Sequence, residues 1–91
     1  MKIVAVCGMG IGTSVILKMN IEKVLERFDV DAQVEAADIS TARGAAQTAD
    51  LVLTSAELAP QLGEVPADVV VVDNFVDEQE IEDKLVDALD L

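Results

Sequence analysis

The sequence predicts an α/β fold: a small four-stranded parallel sheet in the order 2-1-3-4, with helices on both faces and a phosphate-binding loop after strand 1. Three observations predict it. Short apolar segments alternate with segments of helical periodicity. The first apolar segment runs directly into a glycine-rich turn and then an amphipathic stretch. Hydrophobic residues make up 52% of the 91 residues, enough for one core, so we expect a single domain over 1–91.

The first half of the chain predicts strand, helix, strand. The β-branched segment "KIVAV" at Lys2–Val6 is typical of a buried strand. Thr13 or Ser14 then offers an N-cap for helix 1, which should end near Phe28. Apolar residues at helical spacing mark its inward face: Leu17, Ile21, Val24, Leu25 and Phe28. The segment "DVDAQVEAA" predicts strand 2, with alternating apolar residues at Val30, Ala32, Val34 and Ala36.

The second helix and third strand follow the same alternation. Ser40 or Thr41 can cap a short helix whose alanines share one face, which indicates close packing on a sheet. These alanines are Ala42, Ala45, Ala46 and Ala49. The apolar segment Asp50–Ser55 predicts strand 3.

The last third of the chain predicts two helices around a fourth strand. A brief helix over Ala56–Leu62 should be closed by Gly63. Strand 4 is expected over Ala67–Phe75, and its four consecutive valines predict burial on both faces. The final helix should span Asp77–Leu89. Its inward residues are predicted to be Ile81, Leu85, Ala88 and Leu89.

Composition excludes several classes of function. A net charge of −12, from 18 acidic and 6 basic residues, argues against nucleic acid as a partner, and only two aromatic side chains are present for base stacking. With no histidine and one cysteine, we expect no metal site, no disulfide and no cofactor. The apolar start is too short for a signal peptide, and no segment is long enough to insert into a membrane. These features are typical of a soluble cytoplasmic protein.

The segment "CGMGIGTS" connects strand 1 to helix 1 and is the candidate site. Glycines at positions 8, 10 and 12 should allow positive φ and bring backbone N–H groups close to a ligand. With the helix N-terminus and the hydroxyls of Thr13 and Ser14, these groups predict a cradle for a tetrahedral oxyanion such as phosphate. The same field favours the thiolate form of Cys7, which is the nucleophile. Cys7 beneath such a cradle predicts a cysteine that carries a phosphoryl group.

Three other glycine-loop motifs fail on spacing. A dinucleotide-binding motif needs a third glycine where Thr13 stands. A nucleotide-binding P-loop needs a lysine after Gly12, and Lys18 comes more than one turn too late. Cysteine-dependent phosphatases place an arginine six positions after the cysteine, and here that position is again Thr13. Without a guanidinium to stabilise the hydrolytic transition state, and with no obvious acid beside the loop, a phosphocysteine should persist.

Four further polar residues could approach the loop. Asp38, Ser55 and Asp73 follow predicted strand ends, but each also suits a helix cap or a turn. Ser55 is the best of them for a hydrogen bond to phosphate, since a carboxylate would repel a doubly charged group. Arg43 could reach the loop from helix 2, although a solvated position on the surface is the favoured interpretation.

The segment "IVAVCGMGIGTSVILKMNIEKVL" resembles the start of the enzyme IIB components of the bacterial phosphoenolpyruvate-dependent sugar phosphotransferase system. The ascorbate-type branch is the nearest, with the galactitol and lactose types as relatives. The resemblance implies that Cys7 is the phosphorylated residue. It assigns phosphate binding to the loop that follows, namely Gly8, Met9, Gly10, Ile11, Gly12, Thr13 and Ser14. Apolar residues at Met9, Ile11 and Val15 depart from the family pattern.

The same resemblance implies partners and a location. A phosphohistidine on an enzyme IIA protein would donate to Cys7, which would pass the group to a sugar or sugar-like solute bound in a membrane enzyme IIC. The protein would then act as a phosphotransferase at the inner face of the cytoplasmic membrane, held there by its partner. Two alternatives stay open. One is a small cysteine-dependent phosphatase or arsenate-reductase-like enzyme, and the other is a regulatory binding module whose cysteine is inert.

Overall fold

A computed structural model describes residues 1–8 and 11–91, and the side chains of residues 11–14 lie outside what it describes. Strands and helices alternate along the chain. They are β1 (Lys2–Cys7), α1 (Ile11–Arg27), β2 (Gln33–Asp38), α2 (Ile39–Ala46), β3 (Leu51–Thr54), α3 (Ala59–Leu62), β4 (Asp68–Val71) and α4 (Glu78–Leu89). The four strands form one parallel sheet in the order β2-β1-β3-β4, which confirms the predicted order.

Strand β1 lies at the centre of the sheet and divides the core into two layers. Its residues from Ile3 to Val6 are completely buried, because β2 and β3 flank the strand and helices cover both of its faces. Ile3 and Ala5 pack into the layer that contains α1 and α4. Val4 and Val6 pack into the layer that contains α2 and α3. Helices on both faces of the sheet were predicted, and the two layers confirm them.

The layer of α1 and α4 holds the larger side chains. Four of the five predicted inward residues of α1 are buried, namely Leu17, Ile21, Val24 and Leu25, and they meet Ile81 and Leu85 of α4. Ion pairs join the two helices at the surface, where Lys23 Nζ lies 3.2 Å from Glu78 Oε1. Full burial of each Leu or Ile side chain is worth about 1.5–3 kcal/mol, so this layer is the main source of stability.

The layer of α2 and α3 is thinner. Ala42, Ala46 and Ala49 are buried against Val4, Val6 and Val52, as the alanine spacing predicts. Small side chains bring α2 close to the sheet.

In the described part of the chain, no helix combines the length and the apolar character needed to cross a bilayer.

Two predictions of burial were wrong. Strand β4 covers only Asp68–Val71 and lies at the edge of the sheet, so its valines are not buried on both faces, and Val69 is 38% exposed. Phe28 is 41% exposed because α1 ends at Arg27. The next residue, Asp29, takes a left-handed φ of 54°, and Val30 N–H donates to Leu25 O at 2.9 Å, which turns the chain away from the helix axis.

Three predicted helix starts were also wrong. Helix α1 begins at Ile11, before Thr13 and Ser14, so neither is its N-cap. Asp38 caps α2 in place of Ser40 or Thr41, because β2 delivers its extended backbone directly to the start of the helix. Helix α3 begins at Ala59 and not at Ala56, because the three residues before Ala59 form a turn. Its end is as predicted, since Gly63 follows the last helical residue with a φ of 67°.

Candidate functional site

A cleft of about 380 Å³ opens at the carboxyl-terminal edge of the sheet. Parallel strands end together at this edge, and ligands of doubly wound folds bind there. Each strand contributes at least one lining residue from its end or from the segment that follows it. The lining residues are Cys7, Gly8, Ile39, Ser55, Glu57, Leu58, Gln61 and Phe75.

Cys7 is the last residue of β1 and the only thiol in the chain. The residue is 5% exposed, and it is among the residues that line the cleft. Helix α1 begins at Ile11, so only three residues separate the thiol from a helix N-terminus. A helix N-terminus presents unpaired N–H groups and a partial positive charge, which stabilise anions. An anion bound next to Cys7 would therefore be stabilised at this position.

Position 8 in the wall of the cleft requires a glycine, but not for the backbone conformation that the sequence analysis expected. Among the described glycines, Gly63 alone has a positive φ, so the expectation of a positive φ at Gly8 was wrong. The space around Gly8 explains the residue instead. A Cβ built there would lie 2.8 Å from Leu58 Cδ2, so the leucine occupies the volume that a side chain would need. Gly8 allows the segment before α3 to close over the loop.

Ser55 joins Cys7 in the cleft. It follows β3, and its hydroxyl accepts a hydrogen bond from Leu58 N–H at 3.4 Å while its carbonyl accepts from Ala59 N–H at 3.0 Å. The turn interpretation of Ser55 is confirmed, and the residue also lines the cleft, while its hydrogen bond to phosphate stays a prediction. Its hydroxyl proton is not used in the bond to Leu58, since the oxygen is the acceptor there.

The other three polar candidates are not among the residues that line the cleft. Asp38 is paired in register with Cys7 across the sheet, but its carboxylate caps α2. Asp73 is exposed in the loop after β4. Arg43 is exposed, and its guanidinium lies 3.4 Å from the position that a Cβ on Gly63 would take, against the end of α3. The helix-cap interpretation of Asp38 and the surface interpretation of Arg43 are thus confirmed.

The Asp38 carboxylate is held in its charged form. The hydroxyl of Ser40 donates to Asp38 Oδ1 at 2.5 Å, and the N–H and hydroxyl of Thr41 both donate at 3.1 Å. The bond from Ser40, followed by those from Thr41, lowers the pKa of Asp38 below its usual value. This charge is therefore fixed at the start of α2 rather than directed at the cleft.

Acidic side chains elsewhere do not form a second centre. A surface concavity at the end of α1 is lined by the carboxylates of Glu22, Glu26, Asp29 and Asp31 and has no nucleophile. Within residues 1–8 and 11–91, no group of three or more His, Cys, Asp or Glu residues could hold a metal ion.

Residues 2–87 match the family model described as "PTS system, Lactose/Cellobiose specific IIB subunit". This chain belongs to the PTS IIB family. The ascorbate-specific PTS system EIIB component of Mycoplasma pneumoniae is 33% identical to it over 90 residues, which cover 98% of this IIB chain and 95% of the relative. The resemblance found in the sequence is thereby confirmed, and the chain is a IIB component of a sugar phosphotransferase system.

Solved structures show how widely the fold of this IIB chain is shared. The lactose-specific IIB domain from Streptococcus pneumoniae superposes with a TM-score of 0.65 and 14% identity, covering 99% of this chain and 91% of that domain. A low molecular weight protein tyrosine phosphatase from Bacillus subtilis superposes with a TM-score of 0.60 and 13% identity, covering 98% of this chain and 92% of the phosphatase. At such identities the likeness concerns the fold alone.

Membership of the family gives this IIB chain a general role. PTS IIB components have phosphotransferase activity and work with IIA and membrane IIC partners. Of the predicted phosphate loop, Met9 and Gly10 lie outside the described residues, as do the side chains of Ile11, Gly12, Thr13 and Ser14.

Several cleft residues of this IIB chain escaped the sequence analysis. Ile39, Glu57, Leu58, Gln61 and Phe75 all line the cleft, and none was predicted to. The expectation that no acid lies beside the loop was wrong, since Glu57 is there. One signal was available: each residue ends a predicted strand or follows one, and strand ends converge in this fold. Periodicity says only which residues are buried within an element, so it could not select among the residues near strand ends.

Proposed function

We propose that Cys7 of this IIB component accepts a phosphoryl group from a phosphohistidine of enzyme IIA and transfers it to a sugar or sugar-like solute in enzyme IIC. One observation carries the proposal: the only cysteine of the chain ends the central strand and lines the cleft at the carboxyl edge of the sheet. The transfer would take place in the cytoplasm, at the membrane face where IIC presents its solute, with residues 1–91 acting as one domain.

Two in-line displacements make up the reaction. In the first, the Cys7 thiolate attacks phosphorus, an S–P bond forms, and the P–N bond breaks with its electron pair left on the imidazole nitrogen. In the second, a hydroxyl oxygen of the solute attacks phosphorus and the S–P bond breaks. The thiolate is regenerated, and the hydroxyl proton passes to water or to a nearby base. No net charge accumulates on the sulfur over a full cycle.

The phosphoryl oxygens need hydrogen-bond donors, because no lysine or arginine is among the described residues that line the cleft. We assign this role to the loop of Gly8, Met9, Gly10, Ile11, Gly12, Thr13 and Ser14. Its support is the start of α1 at Ile11, which places the unpaired N–H groups of a helix N-terminus just after the thiol. Ser55, which follows β3 and also lines the cleft, supplies a further donor.

A second candidate, a cysteine-dependent phosphatase, is favoured by one specific observation. Glu57 lines the cleft, where a carboxyl group could protonate a leaving group. The position that holds arginine in such phosphatases is Thr13, so the transition state for hydrolysis lacks its guanidinium. Carriage of the phosphoryl group is therefore favoured over its hydrolysis.

The test is phosphorylation by an enzyme IIA protein of an ascorbate-type system that carries a phosphohistidine. The wild-type mass should rise by one phosphoryl group, and Cys7→Ala should show no rise while keeping the wild-type circular dichroism spectrum. Alanine is chosen because a serine hydroxyl could itself be phosphorylated. An unmodified wild type, or a labelled Cys7→Ala, would rule out the proposal.

Incubation with p-nitrophenyl phosphate distinguishes the two candidates. A carrier forms at most one phosphocysteine per chain, so release of nitrophenol stops after about one equivalent or does not start. Sustained turnover that falls in Glu57→Gln would identify a phosphatase instead.

A further inference from the structure

The loop between β4 and α4 forms one wall of the cleft through Phe75, which lines it together with Cys7. Phe75 is one of only two aromatic residues in the chain, and it is partly buried against the core. The loop has no regular secondary structure around Phe75, so the position of the ring depends on the contacts that fix its backbone.

Side chains from two helices fix this backbone. The Glu80 carboxylate of α4 accepts from Asp73 N–H at 2.7 Å and from Asn74 N–H at 2.9 Å, before the phenylalanine. Asn20 of α1 donates from Nδ2 to the Phe75 carbonyl itself at 2.8 Å. The loop is thus held at the residue that forms the wall and at the two residues before it.

Asn20 is the contact that links the wall to α1. It is 8% exposed and lies beside the buried Leu17, Ile21 and Val24 on a helix face that is otherwise apolar. A buried amide is costly unless it is hydrogen-bonded, and a leucine would suit the core better. The bond to Phe75 gives the amide a specific use: it connects α1 to the part of the cleft wall that Phe75 forms.

We propose that Asn20 is a positioning residue, which holds Phe75 beside Cys7 so that the wall keeps water away from the phosphocysteine. This inference rests on the proposed function, since it concerns the lifetime of the S–P bond. Water that reaches phosphorus hydrolyses the thiophosphate, giving inorganic phosphate and the regenerated thiol. An apolar ring in the wall of the cleft excludes that water until a partner docks.

The experiment compares Asn20→Leu, which keeps the volume and removes the donor, with Phe75→Ala, which removes the wall. Phosphorylated protein is separated from the donor, and its mass is followed over time. Loss of one neutral hydrogen bond corresponds to roughly a fivefold change in rate, so Asn20→Leu should shorten the phosphocysteine lifetime by about that factor. Phe75→Ala should shorten it at least as much, and the double variant no further than Phe75→Ala alone.

A matched control separates positioning from general stability. Ile81→Val removes one methylene from the same buried layer and should lower stability without removing the bond from Asn20 to Phe75, so its phosphocysteine should last as long as in the wild type. The proposal is overturned if Asn20→Leu leaves the lifetime unchanged, if its effect persists in full in the Phe75→Ala background, or if Ile81→Val shortens the lifetime equally.

Alkylation of Cys7 by iodoacetamide gives a readout that needs no phosphoryl transfer. Asn20→Leu should accelerate alkylation by a similar factor, because the displaced wall opens the cleft. If the wild type is never phosphorylated but Asn20→Leu and Phe75→Ala accelerate alkylation non-additively, the proposed function fails while the positioning role stands. If phosphorylation occurs and alkylation and lifetime are both unchanged, only the positioning role fails.

Discussion

Gly8 is the point at which the loop after β1 touches the segment before α3, and a methyl group there gives a quantitative test of the site geometry. The Cβ of Gly8→Ala would lie 2.8 Å from Leu58 Cδ2 and 3.3 Å from Cδ1. Carbon atoms prefer a separation of about 3.5–4.0 Å, so the leucine must move by roughly 0.7 Å or more. Leu58 lines the cleft together with Cys7, so its displacement changes the shape of the cleft.

Two terms decide the size of the effect. Overpacking costs about 1–3 kcal/mol, and the lower part of this range applies because the atoms that clash end a flexible side chain. Gly8 does not have a positive φ, so alanine also restricts the unfolded chain and contributes about 0.4–1 kcal/mol of stability. The expected net loss is about 1 kcal/mol. In a Leu58→Ala background the clash disappears, and Gly8→Ala should become stabilising by about 0.5 kcal/mol.

Thermal unfolding of the four proteins measures this change of sign. Far-ultraviolet circular dichroism is the appropriate signal, because the chain has no tryptophan or tyrosine. A change of 1 kcal/mol shifts Tm by about 4–8 °C in a domain of this size, well above the error of the measurement. If Gly8→Ala has the same sign and size in both backgrounds, Leu58 does not occupy the space above Gly8 and the reasoning is refuted.

Two further predictions concern single polar groups. Thr54 is completely buried, and among the described residues its Oγ1 has no hydrogen-bond partner. Thr54→Val should therefore raise the free energy of unfolding in urea by about 1 kcal/mol. The control Thr41→Val loses a hydrogen bond to Asp38 and should not stabilise the protein, so equal effects of the two variants would contradict the prediction. The hydrogen bond from Ser40 is the largest cause of the lowered pKa of Asp38 in the folded protein. The charged carboxylate therefore stabilises the fold at pH values above the pKa of the unfolded chain, and this stabilisation is lost as the pH falls through the pKa of the folded protein. Asp38→Asn should thus lower the urea midpoint near pH 7 and do so progressively less from about pH 4 downwards, and a difference independent of pH would oppose the assignment.

Local patterns predicted the elements well where one principle dominated. Leu17, Ile21 and Val24 repeat at helical spacing, and all three are buried as predicted. The predictions failed where several residues could satisfy the same local rule. Asp38 and Ser40 are equally good N-caps by type, and only the end of β2 decides between them.

In the candidate site, too, some residues could be predicted from local sequence and others could not. Cys7 could be predicted because the thiol, the strand and the glycine loop are contiguous in sequence. Phe75 could not, because the bond that holds it in the wall comes from Asn20, which lies 55 residues away along the chain. Periodicity would assign Asn20 only to a buried helix face, where its amide has no evident purpose.

The amino-acid sequence by itself determined the alternation of strands and helices, the sheet order and the position of a thiol at the end of β1, shortly before a helix N-terminus. These follow from short-range periodicity and from the geometry that parallel sheets impose on any such alternation. Tertiary structure alone decided that Leu58 closes over Gly8, that Ser55 and Phe75 join Cys7, and that β4 is an exposed edge. The reason is physical: a cleft at strand ends is built from loops that meet only after the sheet has assembled, and no local pattern records which of their side chains will touch.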